Sequence, residues 1–216
     1  MKLLSNAMKV LIADDHEVVR QGVRQILSDE FRDAQFGEAV SVAELLPHIW
    51  EEEWDLVLLD ISMPGRNGLD ALAEVAKARP NLPVLVLSMF SEREYALRAL
   101  KAGAAGYLTK QSLGHELVSA IKKVLAGGRY ITPTQAEILA EGLGKGGTKF
   151  PHESLSDREF EVMKLIATAK SVKEIARDLS LGEKTVFTYR ARLLEKMELK
   201  NDVEVARYAL RHRLVE

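Results

Sequence analysis

Three short stretches of this sequence are apolar at every position: residues 10–12 (VLI), 56–59 (LVLL) and 84–87 (VLVL). A strand with one face in water alternates apolar and polar side chains, so a strand without polar residues must be covered on both faces. Strands of that kind are typical of parallel sheets that carry helices on both sides. These stretches therefore predict the centre of a parallel sheet in the first half of the chain.

Helical periodicity fills the intervals between these stretches and two further strand candidates. We predict five strands, at residues 10–13, 35–39, 56–59, 84–87 and 106–108. The helical patterns alternate with them and cover residues 17–27, 42–50, 69–78, 95–102 and 113–125. Strands that alternate with helices form βαβ units. We therefore predict an α/β, doubly wound, five-stranded parallel domain over residues 8–128.

A glycine-rich segment separates this domain from the rest of the chain. Four of the six residues at 142–147 are glycines, a composition that behaves as flexible coil rather than helix. We assign residues 129–152 to a linker that contains a short helix. Four helical patterns follow it, at residues 157–167, 172–179, 183–197 and 203–213. Residues 153–216 are therefore predicted to form a small all-α domain of four helices, opened by a capping box of Ser156 and Glu159.

Composition excludes several classes of protein. The chain has no cysteine, so disulfide bonds and thiolate metal sites are ruled out. No apolar run approaches the roughly 20 residues that cross a bilayer, and we expect a cytoplasmic protein without membrane contact. Residues 1–7, MKLLSNA, resemble the remnant of an expression tag and are left out of the fold prediction. The formal net charge of -2 does not identify a partner.

Polar side chains lie at the carboxyl ends of four predicted strands. Asp14 and Asp15 follow the first strand, Asp60 the third, Ser88 the fourth and Lys110 the fifth. The carboxyl edge of an open parallel sheet is where ligands bind, so we expect these groups to meet. Three neighbouring carboxylates repel one another unless a hard cation lies among them, and oxygen ligands suit Mg²⁺. A carboxylate beside Mg²⁺ can attack a phosphoryl group, whose oxygens Ser88 and Lys110 would then bind.

Three motifs in this half resemble the receiver domain of two-component response regulators, which has a flavodoxin-like fold. They are the first strand with its acidic pair, the loop after the third strand, and the last strand: VLIADDH at 10–16, DISMPGRNG at 60–68 and AGYLTK at 105–110. The resemblance covers residues 8 to about 128 and implies phosphorylation by a sensor histidine kinase. One departure is Gln111, which stands where many receivers have a proline.

The receiver resemblance gives roles to the polar residues of the sheet edge. It implies that Asp60 accepts the phosphoryl group and that Lys110 binds the phosphoryl oxygens. Mg²⁺ would be the cofactor, held directly by Asp15, Asp60 and the Ser62 carbonyl. Asp14 would reach the metal through a water molecule. A receiver assists only its own phosphorylation and dephosphorylation, so we do not expect an enzyme with a separate substrate.

The segment at 172–197 has the layout of a helix-turn-helix: a short helix, a break at 180–182 and a second, amphipathic helix. Val186, Leu193 and Met197 share one face of the second helix, which we expect to be buried. The opposite face carries basic, polar and aromatic side chains: Lys184, Phe187, Thr188, Ala191 and Arg192. An exposed aromatic ring can contact thymine methyl groups in the major groove, and the basic residues favour phosphates. A unit of four helices that only dimerises is the alternative.

Residues 153–216 resemble the LuxR-type DNA-binding domain of NarL/FixJ regulators. The similarity rests on three short motifs, LSDRE at 155–159, KEIA at 173–176 and KTV at 184–186. It implies that three side chains face the bases: Phe187, Thr188 and Ala191. Four others are candidates for contacts with the phosphate backbone: Lys184, Thr185, Tyr189 and Arg192. The endings DVE at 202–204 and RH at 211–212 are similar to the GacA/UvrY-type branch.

Together the two resemblances predict a two-component response regulator and DNA-binding transcription factor. A sensor histidine kinase would phosphorylate Asp60, and Ser88 would move toward the phosphoryl group with the ring of Tyr107 following inward. This switch would promote homodimerisation and binding to promoter DNA. RNA polymerase is a further candidate partner.

Two rival functions belong to other classes. A Mg²⁺-dependent phosphatase also uses an aspartate nucleophile, but such enzymes usually carry a second aspartate two residues later, where this chain has Ser62. A receiver can also control an output that binds protein or RNA, which salt dependence and competition with duplex DNA would separate. Any one of the polar residues, taken alone, is more often a helix cap or turn residue. The prediction therefore depends on their combination at four strand ends.

Overall fold

The computed structural model describes residues 7–63, 66–144, 150–212 and 214–215. These fall into two compact units, Met1–Gly142 and Leu143–Glu216, which are described one after the other. Within the described ranges, no helix is long and apolar enough to cross a membrane. Five parts of the predictions lie outside them: residues 1–6 of the tag-like segment, 64–65 of the loop motif, 145–149 of the linker, 213 at the end of the last helix, and 216 at the end of the second domain.

The first unit is built on a five-stranded parallel sheet with the strand order β2-β1-β3-β4-β5. Its strands are β1 Lys9–Ala13, β2 Gln35–Ala39, β3 Leu56–Asp60, β4 Val84–Ser88 and β5 Gly106–Thr109. Every residue of β3 and β4 is buried, as their unbroken apolar sequences predict. The order reverses between β1 and β3, and a crevice for ligands is expected at the carboxyl ends of the strands there. The predicted α/β doubly wound fold is confirmed.

Four helices connect the strands, a fifth follows β5, and together they cover both faces of the sheet: α1 Glu17–Glu30, α2 Val42–Glu51, α3 Gly68–Ala78, α4 Glu92–Lys101 and α5 Leu113–Leu125. Helices α1 and α4 are longer than predicted. Their additional turns, at residues 28–30 and 92–94, consist of polar residues, so they carry no apolar periodicity that sequence analysis could detect.

Helix α6, Pro133–Gly144, is the short helix predicted within the linker. It extends to Gly144, into the glycine-rich segment. We expected coil from residue 142 onward, so the predicted start of the coil was wrong. Glycine disfavours a helix by about 1 kcal/mol relative to alanine but does not forbid one. A helix that is well fixed at its start can therefore continue through such residues at its end.

The second unit is all-helical within its described residues. A short 3₁₀ turn, Pro151–Ser154, precedes four helices: α7 Asp157–Ala167, α8 Val172–Asp178, α9 Glu183–Lys196 and α10 Asp202–Arg211. The predicted capping box is present, since the Ser156 side chain accepts from Glu159 N and the Glu159 side chain accepts from Ser156 N. The break between α8 and α9 contains Ser180 with a φ of 53°, a left-handed conformation that ends the first helix. The predicted small four-helix domain is confirmed.

Candidate functional site

The carboxyl ends of β1, β3 and β5 bring together two aspartates and one lysine. Asp14 directly follows β1, Asp60 is the last residue of β3, and each is only 1% exposed. Lys110 follows β5 and lies between them, with Nζ 2.7 Å from Asp14 Oδ2 and 2.6 Å from Asp60 Oδ2. One ammonium group thus binds two buried carboxylates at the edge where the sequence places all three residues.

The protonation states of this group follow from burial and from the charges around it. Burial raises the pKa of Asp60 above its ordinary value, because it outweighs the hydrogen bonds and charge from Lys110 and the Ser62 N–H, which lower the pKa. Ser62 N donates to Asp60 Oδ1 at 2.7 Å, so each oxygen of Asp60 accepts a hydrogen bond. Burial lowers the pKa of Lys110, but its hydrogen bonds to Asp14 and Asp60 outweigh this effect and the pKa is raised. Lys110 is therefore protonated at neutral pH.

Asp15 and His16 extend the acidic cluster toward solvent. Both side chains are exposed, and His16 Nδ1 lies 2.8 Å from Asp15 Oδ1 and 3.1 Å from Asp14 Oδ1. One potential ligand atom from each of Asp14, Asp15, His16 and Asp60 falls within 4.8 Å of all the others. Carboxylate oxygens beside open solvent fit Mg²⁺, which prefers oxygen ligands and keeps several waters. His16 was not predicted as a site residue, although it directly follows the acidic pair.

The predicted switch residues both contact the backbone of Phe90. Ser88 is fully buried at the end of β4, and its Oγ accepts a hydrogen bond from Phe90 N at 3.1 Å. Tyr107 on β5 is also fully buried, and its hydroxyl donates to Phe90 O at 2.8 Å. The ring of Tyr107 therefore lies inward in this structure. Phe90 was not predicted as a site residue, because it contacts Ser88 and Tyr107 through its backbone N–H and carbonyl.

Helix α9 has one buried face, as predicted, and the face that was predicted to contact DNA is exposed. Val186 and Leu193 are fully buried, and Met197 just beyond the helix is 4% exposed. Phe187 on the other side is 55% exposed, which is unusual for a large apolar ring. Five further predicted contact residues are exposed: Lys184, Thr185, Thr188, Ala191 and Arg192. Tyr189 is half-buried, so it presents only part of its ring.

Two basic residues of this segment are engaged within the unit. Arg190 Nε lies 2.8 Å from Asp202 Oδ1, and Lys196 Nζ lies 2.7 Å from Glu159 Oε2. Burial raises the pKa of the Glu159 carboxyl, but hydrogen bonds from Lys196 and from the start of α7 outweigh it and lower the pKa. These pairs join α9 to α10 and to α7. Lys184 and Arg192, which were predicted to contact phosphates, lie on the exposed face of α9.

Comparisons with known proteins match both units. Residues 10–122 match the family described as the response regulator receiver domain, and residues 153–209 match the bacterial regulatory proteins of the luxR family. The chain is 39% identical over 210 residues to the response regulator GacA of Pseudomonas aeruginosa, a match that covers 97% of this chain and 98% of that protein. It is 38% identical over 208 residues to the response regulator UvrY of Escherichia coli, covering 96% and 95%.

Solved structures resemble the chain as well. RcsB from Salmonella enterica serovar Typhimurium, bound to a promoter in the presence of phosphomimetic BeF₃⁻, is 27% identical with a TM-score of 0.64 and covers 94% of this chain and 98% of its own. A structure of two RcsB dimers bound to two parallel DNAs is 26% identical with a TM-score of 0.59 and the same coverage. A LuxR-family response regulator from Aurantimonas is 31% identical with a TM-score of 0.58, covering 65% and 100%.

Proposed function

Because the chain belongs to the response regulators that join a receiver domain to a luxR-family DNA-binding domain, we propose that phosphorylation of Asp60 controls how it binds DNA. The observation that carries the proposal is the Lys110 ammonium between Asp14 and Asp60. A protonated amine already bound to the acceptor carboxylate is well placed to bind the oxygens of a phosphoryl group attached there. Each carboxylate is also held by a backbone N–H, Asp60 Oδ1 by Ser62 N at 2.7 Å and Asp14 Oδ1 by His16 N at 2.8 Å.

A sensor histidine kinase would supply the phosphoryl group. An oxygen of Asp60 forms the new bond to phosphorus while the bond from phosphorus to the kinase's histidine nitrogen breaks. Asp15, Asp60 and the Ser62 carbonyl would hold Mg²⁺, and Asp14 would reach it through water. Bound Mg²⁺ would neutralise charge on the phosphoryl oxygens. Asp60 needs no general base, because a carboxylate attacks in its ionised form.

Ser88 and Tyr107 would transmit the effect of Asp60 phosphorylation to the loop between β4 and α4. Ser88 Oγ now accepts from Phe90 N, and a phosphoryl oxygen on Asp60 would offer the Ser88 O–H a charged acceptor that draws the side chain toward it. Movement of Ser88 would release the Phe90 amide, and the Tyr107 hydroxyl holds the carbonyl of the same residue. Phosphorylation would thus shift an equilibrium between arrangements of the β4–α4 loop rather than create a new fold.

The second unit would read DNA with the exposed face of α9. Phe187, Thr188 and Ala191 would face base edges in the major groove, with Lys184 and Arg192 on phosphates. Thr185 and Tyr189 are the other two residues proposed to contact the phosphate backbone of the DNA. The relatives solved on promoter DNA and as dimers on DNA support a homodimer bound to a promoter as the working form. RNA polymerase would then be the partner of the bound regulator.

The test is phosphorylation of the full chain by a small phosphodonor with Mg²⁺. Asp60→Asn should abolish labelling and remove the rise in DNA binding that the donor causes. Asp70→Asn is the matched control, since Asp70 is exposed in the first turn of α3 and should label normally. Labelling of Asp60→Asn at the wild-type rate would reject the assignment of the acceptor. Normal labelling without any effect on DNA binding would reject the link between the two units.

A further inference from the structure

Helix α6 begins with a capping box formed by Thr132 and Gln135. The Thr132 hydroxyl accepts from Gln135 N at 3.2 Å, and Gln135 Oε1 accepts from Thr132 N at 3.4 Å. Thr132 O also accepts from Ala136 N at 2.9 Å, which closes the first turn. A capping box uses only the side-chain oxygen of its third helical residue, so glutamate would serve this purpose as well as glutamine. The amide nitrogen of Gln135 is not needed to start the helix.

That nitrogen nevertheless makes two hydrogen bonds to other elements. Gln135 is fully buried, and Nε2 donates to Glu92 Oε1 at 2.9 Å and to Tyr107 O at 2.8 Å. A primary amide has two N–H groups, so both are used. The Glu92 carboxylate accepts in addition from the Thr132 hydroxyl, at 3.1 and 3.0 Å for its two oxygens. The start of α6 is thus tied to the first residue of α4 and to the backbone of β5.

The position of this contact follows from the edge of the sheet. β5 is an edge strand, and the segment that leads into α6 runs beside it, with Tyr130 in a parallel bridge to Gly106. In a regular parallel ladder the next N–H along that segment, on Thr132, would meet the Tyr107 carbonyl. The chain instead turns into α6 there. The side-chain amide of Gln135 takes the place of the missing backbone donor.

A series of hydrogen bonds, joined by the covalent bonds within Phe90 and Tyr107, therefore connects Ser88 to α6. Ser88 Oγ binds Phe90 N, and Phe90 O binds the hydroxyl of Tyr107. The carbonyl of Tyr107 binds Gln135, and Gln135 binds Glu92, which lies two residues after Phe90. The contacts form a ring around the β4–α4 loop. A shift of that loop would act on Gln135 directly through Glu92 and indirectly through the Tyr107 side chain, whose hydroxyl binds Phe90 O.

We propose that Gln135 is a positioning residue that transmits the state of the Ser88–Tyr107 pair to α6, the helix that leads out of the first unit. The proposal rests on the proposed function, because it names the route by which phosphorylation of Asp60 would act beyond the sheet. Gln135 acts through the Tyr107 carbonyl and the Glu92 carboxylate and contacts neither metal nor phosphoryl group.

The informative substitution is Gln135→Glu. Glutamate keeps the acceptor that the capping box needs, but it loses both amide donors and places a negative charge beside Glu92. Gln25→Glu is the matched control, because it makes the same change beside an acidic partner, Asp29, on the exposed side of α1. Gln135→Met removes the same donors without adding charge, and it also removes the Oε1 that caps α6. It answers the question even if Gln135→Glu does not fold, because loss of the α6 response with the Ser62 response kept is expected in both variants.

Hydrogen exchange of the full chain, with and without beryllium fluoride and Mg²⁺, is the measurement. In the wild type, exchange should change both in the peptide that contains Ser62 and in the peptide that covers 132–140. In Gln135→Glu the Ser62 response should remain, while the α6 peptide should exchange roughly tenfold faster in both states and no longer respond. Gln25→Glu should behave as the wild type does.

The outcomes separate this proposal from the proposed function. A wild type without any response near Ser62 would overturn phosphorylation of Asp60 itself. A response near Ser62 with an unchanged α6 peptide, or a full α6 response in Gln135→Glu, would overturn only the role of Gln135. The double variant Glu92→Gln with Gln135→Glu restores a donor–acceptor pair between these two positions but leaves the Tyr107 carbonyl without an amide. Return of the response there would show that the Tyr107 contact is not the route.

Discussion

Replacing Lys110 by methionine should destabilise the first unit strongly. Methionine keeps most of the side-chain length but removes the ammonium that lies 2.7 and 2.6 Å from the oxygens of Asp14 and Asp60. Both carboxylates are 1% exposed, so water cannot replace it fully. Removing one partner of a buried ion pair costs roughly 3 to 5 kcal/mol. We expect about 3 kcal/mol at pH 7, the lower end of that range, because one carboxyl group can bind a proton instead.

The loss should depend on pH in a defined direction. Burial already raises the pKa of Asp60, and the variant lacks the ammonium that opposes this effect. A carboxyl group whose pKa is raised on folding adds stability below its unfolded value, here 3.8, and loses it as the pH rises through the folded value. The variant should therefore approach wild-type stability near pH 4 and fall behind toward pH 7. Mg²⁺ should restore part of the difference, since it binds only the folded arrangement of carboxylates.

Urea unfolding followed by tryptophan fluorescence measures the stability of the first unit, where Lys110 lies. The two tryptophans of the chain, Trp50 and Trp54, both lie in the first unit. With a slope of about 1 to 3 kcal/mol per molar urea, the midpoint should move by roughly 1 to 3 M. Lys122→Met is the matched control, because Lys122 pairs with Glu30 at the surface and should cost less than about 1 kcal/mol without any Mg²⁺ effect. Equal midpoints for Lys110→Met and wild type at pH 7 would refute the buried ion pairs.

The remaining predictions concern the second unit. Arg192→Ala should weaken binding to every duplex alike and lower the salt slope by roughly one, as measured in a salt titration. Thr188→Ala should cost about 1 to 3 kcal/mol on the best operator and almost nothing on random DNA; equal losses on both would place the base-reading face elsewhere. Glu159 has a lowered pKa, so its contribution is present above its ordinary value of 4.5 and lost as the pH falls. Lys196→Met should therefore reduce the acid sensitivity of the second unit, as measured by circular dichroism in urea.

The parts of the site that lie at strand ends were predictable from sequence. Asp14, Asp60 and Lys110 each follow or end a strand whose type was evident from unbroken apolar runs or alternation with helices. Once the strands are parallel members of one sheet, their carboxyl ends lie at one edge, and the side chains there are expected to converge. The same holds for α9, where Val186 and Leu193 at a spacing of seven residues fixed the buried face and thereby the exposed one.

Contacts made by backbone groups and by turns between elements could not be predicted in this way. Phe90 takes part through its N–H and carbonyl, which every residue type except proline offers, so its sequence position carries no signal. The capping box of Thr132 and Gln135 is a local pattern, although it was not among the predictions. The partners of its amide could not be predicted, because Tyr107 and Glu92 are 28 and 43 residues away in the chain.

Residues at strand ends and residues in turns would differ in how easily their roles pass to other positions in related chains. In the proposed function, Asp60 would accept and Lys110 would bind a phosphoryl group, and sheet geometry places both, because Asp60 ends β3 and Lys110 follows β5. A buried side-chain amide such as that of Gln135 replaces a single missing backbone donor at the sheet edge, and a small shift in where α6 begins would assign that task to another residue. Under the proposed mechanism, one or two substitutions at the start of α6 would therefore change the coupling between Asp60 and this helix and leave the residues around Asp60 unchanged.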